Sequence, residues 1–180
     1  AARGASAALD AEASAIESLL RRPAEELMPR ARELAERMAL ALQASVLLRG
    51  APENPQVLMV AGQVELKLNA LAQAEAHFAK AVQLLPKAQG PRAQLAQVQV
   101  RSGQADKALA TLAPLLQEAS PSVEVLTLAA QAQLMKGDSA AADASFARAA
   151  KLKPDDPRVR IAVALSKVSK GQAAAGIADL

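Results

Sequence analysis

The chain contains no cysteine, no tryptophan and no tyrosine, and only two phenylalanines and one histidine. Without cysteine there are no disulfides, no thiolate nucleophile and no cysteine-based zinc site. The compartment stays open on that count, because an exported protein can do without disulfides. One histidine cannot build a metal centre without further ligands. So few aromatics argue against a β-sandwich or barrel. They also leave little for stacking on nucleic-acid bases. Charge of one sign is not concentrated: 21 basic and 18 acidic side chains give a net charge of +3. A helical-repeat nucleic-acid-binding module is kept as the alternative reading, and the main one expects no nucleic acid. Long hydrophobic runs are missing too. Residues 1–20 carry Asp10, Glu12 and Glu17 and do not read as a signal peptide. No stretch is long enough to span a bilayer, so direct membrane contact is not expected.

Alanine is what the sequence has instead, with 46 residues in 180. It is the strongest helix former and occupies little volume, so closely packed helices are expected. The fold class predicted is all-α.

The helices repeat. Gly103, Gly137 and Gly171 are 34 residues apart, and Asn69 holds the same phase one step earlier. Glycine and asparagine tolerate a left-handed backbone, so this column predicts a turn ending the first helix of each hairpin. Gly62, Ala96, Ala130 and Ala164 form a second column, and Ala74, Ala108, Ala142 and Gly176 a third. Small residues there would let the two helices of a hairpin cross closely. Phe78, Leu112, Phe146 and Leu180 form a column of large knobs, expected to fill the space against the next hairpin. Pro52, Pro86 and Pro154 share a phase that ends the second helix, with Ser120 in the remaining slot. Asn54-Pro55, Ser120-Pro121 and Asp156-Pro157 read as a capping residue before a proline at the first helical position. The predicted organisation is therefore divergent N-terminal helices over 1–54, repeats over 55–88, 89–122 and 123–156, and a shortened fourth repeat over 157–180.

A 34-residue unit with small residues at places 8 and 20, Phe or Leu at 24, Ala at 27 and Pro at 32 resembles the tetratricopeptide repeat. Ala61-Gly62, Ala74, His77-Phe78, Ala81 and Pro86 carry the match in the first repeat. Ala130, Gly137-Asp138, Ala142, Phe146, Ala149 and Pro154 carry it in the third. The resemblance covers residues 55–180 and implies a right-handed superhelix of antiparallel hairpins. Two usual aromatics are replaced: place 4 holds Leu58, Arg92, Leu126 or Arg160, and place 11 holds Glu65, Gln99, Gln133 or Lys167.

More narrowly, Leu71 to His77, Ala108 to Leu116, and Phe146 to Leu152 followed by Pro154 look like the tetratricopeptide lipoprotein associated with PEP-CTERM/exosortase systems. That resemblance implies a Gram-negative envelope protein on the periplasmic side, tied to protein sorting and exopolysaccharide production. Without it, a cytoplasmic location is the expectation.

Outside the repeats, residues 5–20 and about 30–50 read as amphipathic helices, with Pro23 and Pro29 breaking the chain between them. Pro114 falls inside a predicted helix and should bend it. The fourth repeat stops at Leu180 in mid-helix, which reads as a fragment of a longer solenoid. A monomer is expected, with end-to-end self-association at that end as the variant.

No residue stands out for catalysis. His77 reads as a helix-surface residue, and Asp155-Asp156 as turn and cap. Gly137-Asp138-Ser139 reads as an interhelical turn, not a phosphate cradle. The chain is expected to be no enzyme and to need no cofactor or metal. The resemblance implies instead that first helices line a concave face through places 2, 5, 9, 12 and 13. Those places include Met59, Gln63, Lys67, Gln97, Arg101, Thr127 and Gln131. A ladder of glutamines can hydrogen-bond a peptide backbone without demanding one sequence. Lys67 and Arg101 would favour an acidic ligand or a carboxylate. The Lys and Asn of the chaperone-tail clamp are absent from Met59, Gln63, Ala93 and Gln97. The predicted function is a scaffold holding a protein or peptide ligand.

Overall fold

The structure is a computed structural model that describes residues 7–22, 26 and 31–169. Pro23, Pro29, Gly171, Gly176 and Leu180 lie outside the described residues, as do the side chains of Leu165 and Ser169. The described residues form nine α-helices and no strand. They fall into two compact units, Ala1–Pro91 and Arg92–Leu180.

The first unit holds α1 (Ala7–Leu20), α2 (Ala31–Gly50), α3 (Pro55–Lys67) and α4 (Leu71–Leu84). Its core joins Leu9, Ala41, Ala44, Leu48, Leu58, Ala61, Val64 and Ala81, so one cluster runs through all four helices. Glu12 of α1, almost buried, takes a two-point contact from the Arg37 guanidinium of α2, at 2.6 and 2.9 Å. The planar fork of arginine suits this geometry. The bond to Glu12 holds the Arg37 pKa above its ordinary value.

α5 (Gln89–Arg101) opens at the boundary. The second unit continues with α6 (Ala105–Leu116), α7 (Val123–Met135), α8 (Ser139–Leu152) and α9 (Pro157–Ser169). Ala96, Leu112, Leu115, Val125, Leu128 and Ala129 make one core, and Leu126, Ala149 and Val159 another. α6 runs through Pro114 and ends two residues later.

Each hairpin turns through a left-handed residue: Asn69 at φ 59°, Gly103 at 78° and Gly137 at 80°. The amide three residues past the end of each first helix closes back over its last turn. Ala70 donates to the carbonyl of Glu65, Gln104 to that of Gln99, and Asp138 to that of Gln133, at 2.8 to 2.9 Å. This six-residue closure is the usual way a helix satisfies its last carbonyls. Starts are capped where side chains allow. Asn54 accepts from the amides of Gln56 and Val57 ahead of Pro55. For α7 the expected cap, Ser120, is displaced. The helix begins at Val123 and Ser122 is its cap, accepting from the Val125 amide at 3.3 Å. The cause is Pro121, which is buried and anchors the chain just before the cap. Helices α2, α4 and α8 each end two residues before the proline of their column, at Gly50, Leu84 and Leu152.

Among the described residues the small-residue columns are buried, and the knobs pack both within their own hairpin and against the next. A Cβ placed on Gly62 would stand 2.6 Å from Cε1 of Phe78 in the same hairpin. Phe146 meets Ala130 and Ala142 of its own hairpin and also Val163 of the next helix. Leu112 shares a core with Val125, Leu128 and Ala129 of the following hairpin, so the large side chains fill the space towards the next hairpin as well as sealing their own.

Place 11 carries a device the sequence reading missed. Glu65 has no solvent exposure, and its Oε2 lies 2.6 Å from Nδ1 of His77. Thr111 donates to Gln99 Oε1 at 2.8 Å, and Ser145 to Gln133 Oε1 at 2.8 Å. All three pairs span 12 residues across their hairpin. His77 is thus a half-buried partner inside the hairpin, a correction to its reading as a surface residue. The residue at place 11 closes the turn with its carbonyl and holds the second helix with its side chain.

Candidate functional site

In the second unit the first helices leave a groove between them. Its volume is about 440 Å³, and α5, α7, α8 and α9 all contribute to its walls. Gln97, Val100 and Arg101 come from α5. Val123, Glu124, Thr127, Leu128, Gln131 and Leu134 come from α7, with Phe146 and Ile161 beyond.

The spacing explains why these residues share a face. Gln97 and Arg101 are one turn apart, as are Thr127 and Gln131, so each pair projects from one side of its helix. Between them Val100, Leu128, Leu134 and Phe146 supply an apolar floor. That floor is itself part of the hairpin core, so the groove is rigidly backed. The Thr127 hydroxyl donates into its own helix, to the carbonyls of Val123 and Glu124 at 3.0 and 2.9 Å. Towards the groove it can therefore only accept. Gln97 and Gln131 offer both a donor and an acceptor, and Arg101 and Glu124 bring opposite charges to the same lining. On the outside of the unit the ammonium of Lys136 meets Asp106 at 2.6 Å. That hydrogen bond raises the Lys136 pKa above its ordinary value.

Four predicted site residues, Gln97, Arg101, Thr127 and Gln131, are thus brought together in one groove. The other three belong to the first unit. Gln63 and Lys67 are exposed on α3, and Met59 is half-buried against the core of that unit. Ile161 and Glu124 also line the groove, at places 5 and 2 of the expected concave face, whereas Val123 stands outside the expected places. No cluster of three metal-ligating side chains occurs among the described residues. No described helix is long and apolar enough to cross a membrane.

A tetratricopeptide-repeat family model matches residues 65–132. The fold is a tetratricopeptide-repeat fold. A tetratricopeptide repeat protein from Parabacteroides merdae aligns over 96% of this chain and 70% of its own, at 18% identity and a TM-score of 0.73. A crystal structure of MamA aligns over 76% of this chain and 80% of its own, at 15% identity and a TM-score of 0.63. The 41-to-end portion of MamA from Desulfovibrio magneticus RS-1 covers 98% of this chain and 93% of its own, at 16% identity and a TM-score of 0.64. No curated protein sequence matches. At such identities the likeness speaks for the fold. The tetratricopeptide hairpins here are of the α-solenoid type, with polar residues where the usual aromatic of place 11 would sit.

Proposed function

We propose that this chain is a non-catalytic scaffold that holds a peptide or protein segment against the first helices of its hairpins. The observation that carries this reading is the convergence of Gln97, Arg101, Thr127 and Gln131 on one groove with an apolar floor. The pattern suits a ligand with a free backbone edge and one or two apolar side chains: the amides take the backbone, the floor takes the side chains. Arg101 adds a preference for a carboxylate. In the first unit Met59, Gln63 and Lys67 extend the same set of places and are proposed to serve the same ligand class. The decisive experiment is selection from a random-peptide display library on the purified chain. Selected peptides should lose about tenfold in affinity, roughly 1.4 kcal/mol, on Gln97→Glu with Gln131→Glu. The melting curve should not change. Unaltered affinity in that double variant would retire the groove.

The parent system is proposed to be a Gram-negative envelope pathway of protein sorting and exopolysaccharide production. The support is the sequence resemblance of residues 71–77, 108–116 and 146–154 to the PEP-CTERM/exosortase-associated lipoprotein. Cell fractionation tests it: recovery of the parent protein in the cytosol alone would remove the assignment.

A further inference from the structure

Two residues of the groove lining, Glu124 and Thr127, are neighbours on one side of α7, a turn apart. Towards a ligand both can only accept hydrogen bonds. The hydroxyl hydrogen of Thr127 is turned into its own helix, to the carbonyls of Val123 and Glu124 at 3.0 and 2.9 Å. Its oxygen keeps lone pairs for the groove. The carboxylate of Glu124 is exposed, has no hydrogen to give when ionised, and meets no ion-pair partner among the described residues. Arg101 lines the other end. It is the last residue of α5, whereas Glu124 is the second of α7. First helices of successive hairpins run the same way, so places 13 and 2 lie about 16 Å apart along their axes.

Apolar surface shares this end of the lining. Ile161 of α9 holds the same place in its repeat as Thr127, and it is 49% exposed. An aliphatic wall therefore stands beside a carboxylate and a hydroxyl oxygen. A long side chain with a methylene stem and a head that only donates fits both parts.

The repeat does not demand this pair. In the other repeats place 2 is Gln56, Gly90 or Arg158, and place 5 is Met59, Ala93 or Ile161. Only the third joins a carboxylate to a hydroxyl. An acidic residue in a first turn does suit the helix dipole. The dipole asks neither for Thr127 one turn on nor for an exposed Ile161.

We propose that the α7 end of the groove is a pocket for a basic side chain of the bound peptide, arginine before lysine. The guanidinium donates to the Glu124 carboxylate and to Thr127 Oγ1, and its stem lies along Ile161. This rests on the groove being the peptide site, and adds which side chain the site selects.

Random-peptide display on the wild-type chain and on Glu124→Lys, run in parallel, tests it. Peptides selected on the wild type should share an arginine at one position, and those selected on Glu124→Lys should not. In one such peptide, citrulline in place of that arginine keeps the shape and removes the charge. It should weaken binding to the wild type about tenfold, and binding to Glu124→Gln by less than about twofold. Thr127→Val should weaken the arginine peptide and leave the citrulline peptide unchanged. Far-UV circular dichroism of the variants should match the wild type. Were Glu124 there for the helix dipole alone, its loss would shift the melting curve and leave the arginine-to-citrulline difference intact, which overturns the pocket. Selected peptides that depend on Gln97 and Gln131 but share no basic residue also overturn it, and the groove then stands. Failure to select any peptide overturns both.

Discussion

Nδ1 of His77 lies 2.6 Å from Oε2 of Glu65, a carboxylate with no exposure to solvent. A polar group so placed tolerates little change in its surroundings. Removing His77 takes from the buried carboxyl group of Glu65 one of its interactions, which costs more than the pair is worth in net terms. His77→Ala should therefore destabilise the first unit by about 1–3 kcal/mol. The informative companion is Glu65→Gln with His77→Thr, which transplants the Gln99–Thr111 pair of the next hairpin. It should regain most of that loss. Urea unfolding of the three proteins decides: an innocuous His77→Ala would mean that the pair adds nothing to stability.

The contact of Gly62 with Phe78 predicts a steric effect. A methyl group at Gly62 would meet the ring at 2.6 Å, and the ring itself has no exposed surface to move towards. Gly62→Ala should cost about 1–3 kcal/mol. Phe78→Leu in that background reproduces the Ala96 and Leu112 of the second hairpin and should recover part of it. Thermal melts of single and double variants give the coupling, and strictly additive losses would show that the two side chains do not meet.

The three left-handed turns should answer by residue type alone. Around Gly103 and Gly137 there is nothing within 4 Å of an added Cβ, so crowding plays no part. Gly103→Ala and Gly137→Ala should each lose about 1–2 kcal/mol through backbone conformation. Asn69→Gly, at φ 59°, should be neutral or slightly stabilising. A stabilising Gly137→Ala in urea titrations would contradict the turn geometry.

Much of this was legible in the residues because the repeat is counted and not inferred. A column of Gly and Asn at a fixed step can only mean a recurring backbone need, and the positive φ values at Asn69, Gly103 and Gly137 meet it. The polar pairs escaped because place 11 was compared with the family's aromatic and not with place 23 of the same hairpin. Glu65, Gln99 and Gln133 face His77, Thr111 and Ser145 at one constant separation, and both columns were in plain view. His77 was judged by its neighbours one turn away, whereas its partner sits on the preceding helix. The shift from Ser120 to Ser122 has another origin: burial of Pro121 decides where α7 can start, and burial is a tertiary fact. In the candidate site the four residues on α5 and α7 followed from repeat phase. The floor beneath them was legible only as core, since Leu128 and Phe146 belong to both.

The chemistry of place 11 also bears on how such a chain avoids tangling itself. Its helices are near-copies, rich in alanine and leucine, and near-copies can swap partners during folding. A first helix bearing Glu65 that met the second helix of another hairpin would bury its carboxylate against a hydroxyl, without the imidazole. Gln99 and Gln133 carry no such label, for Thr111 and Ser145 would satisfy either of them equally well. The opening hairpin is thus keyed to itself, while the two that follow are interchangeable locks of a single pattern.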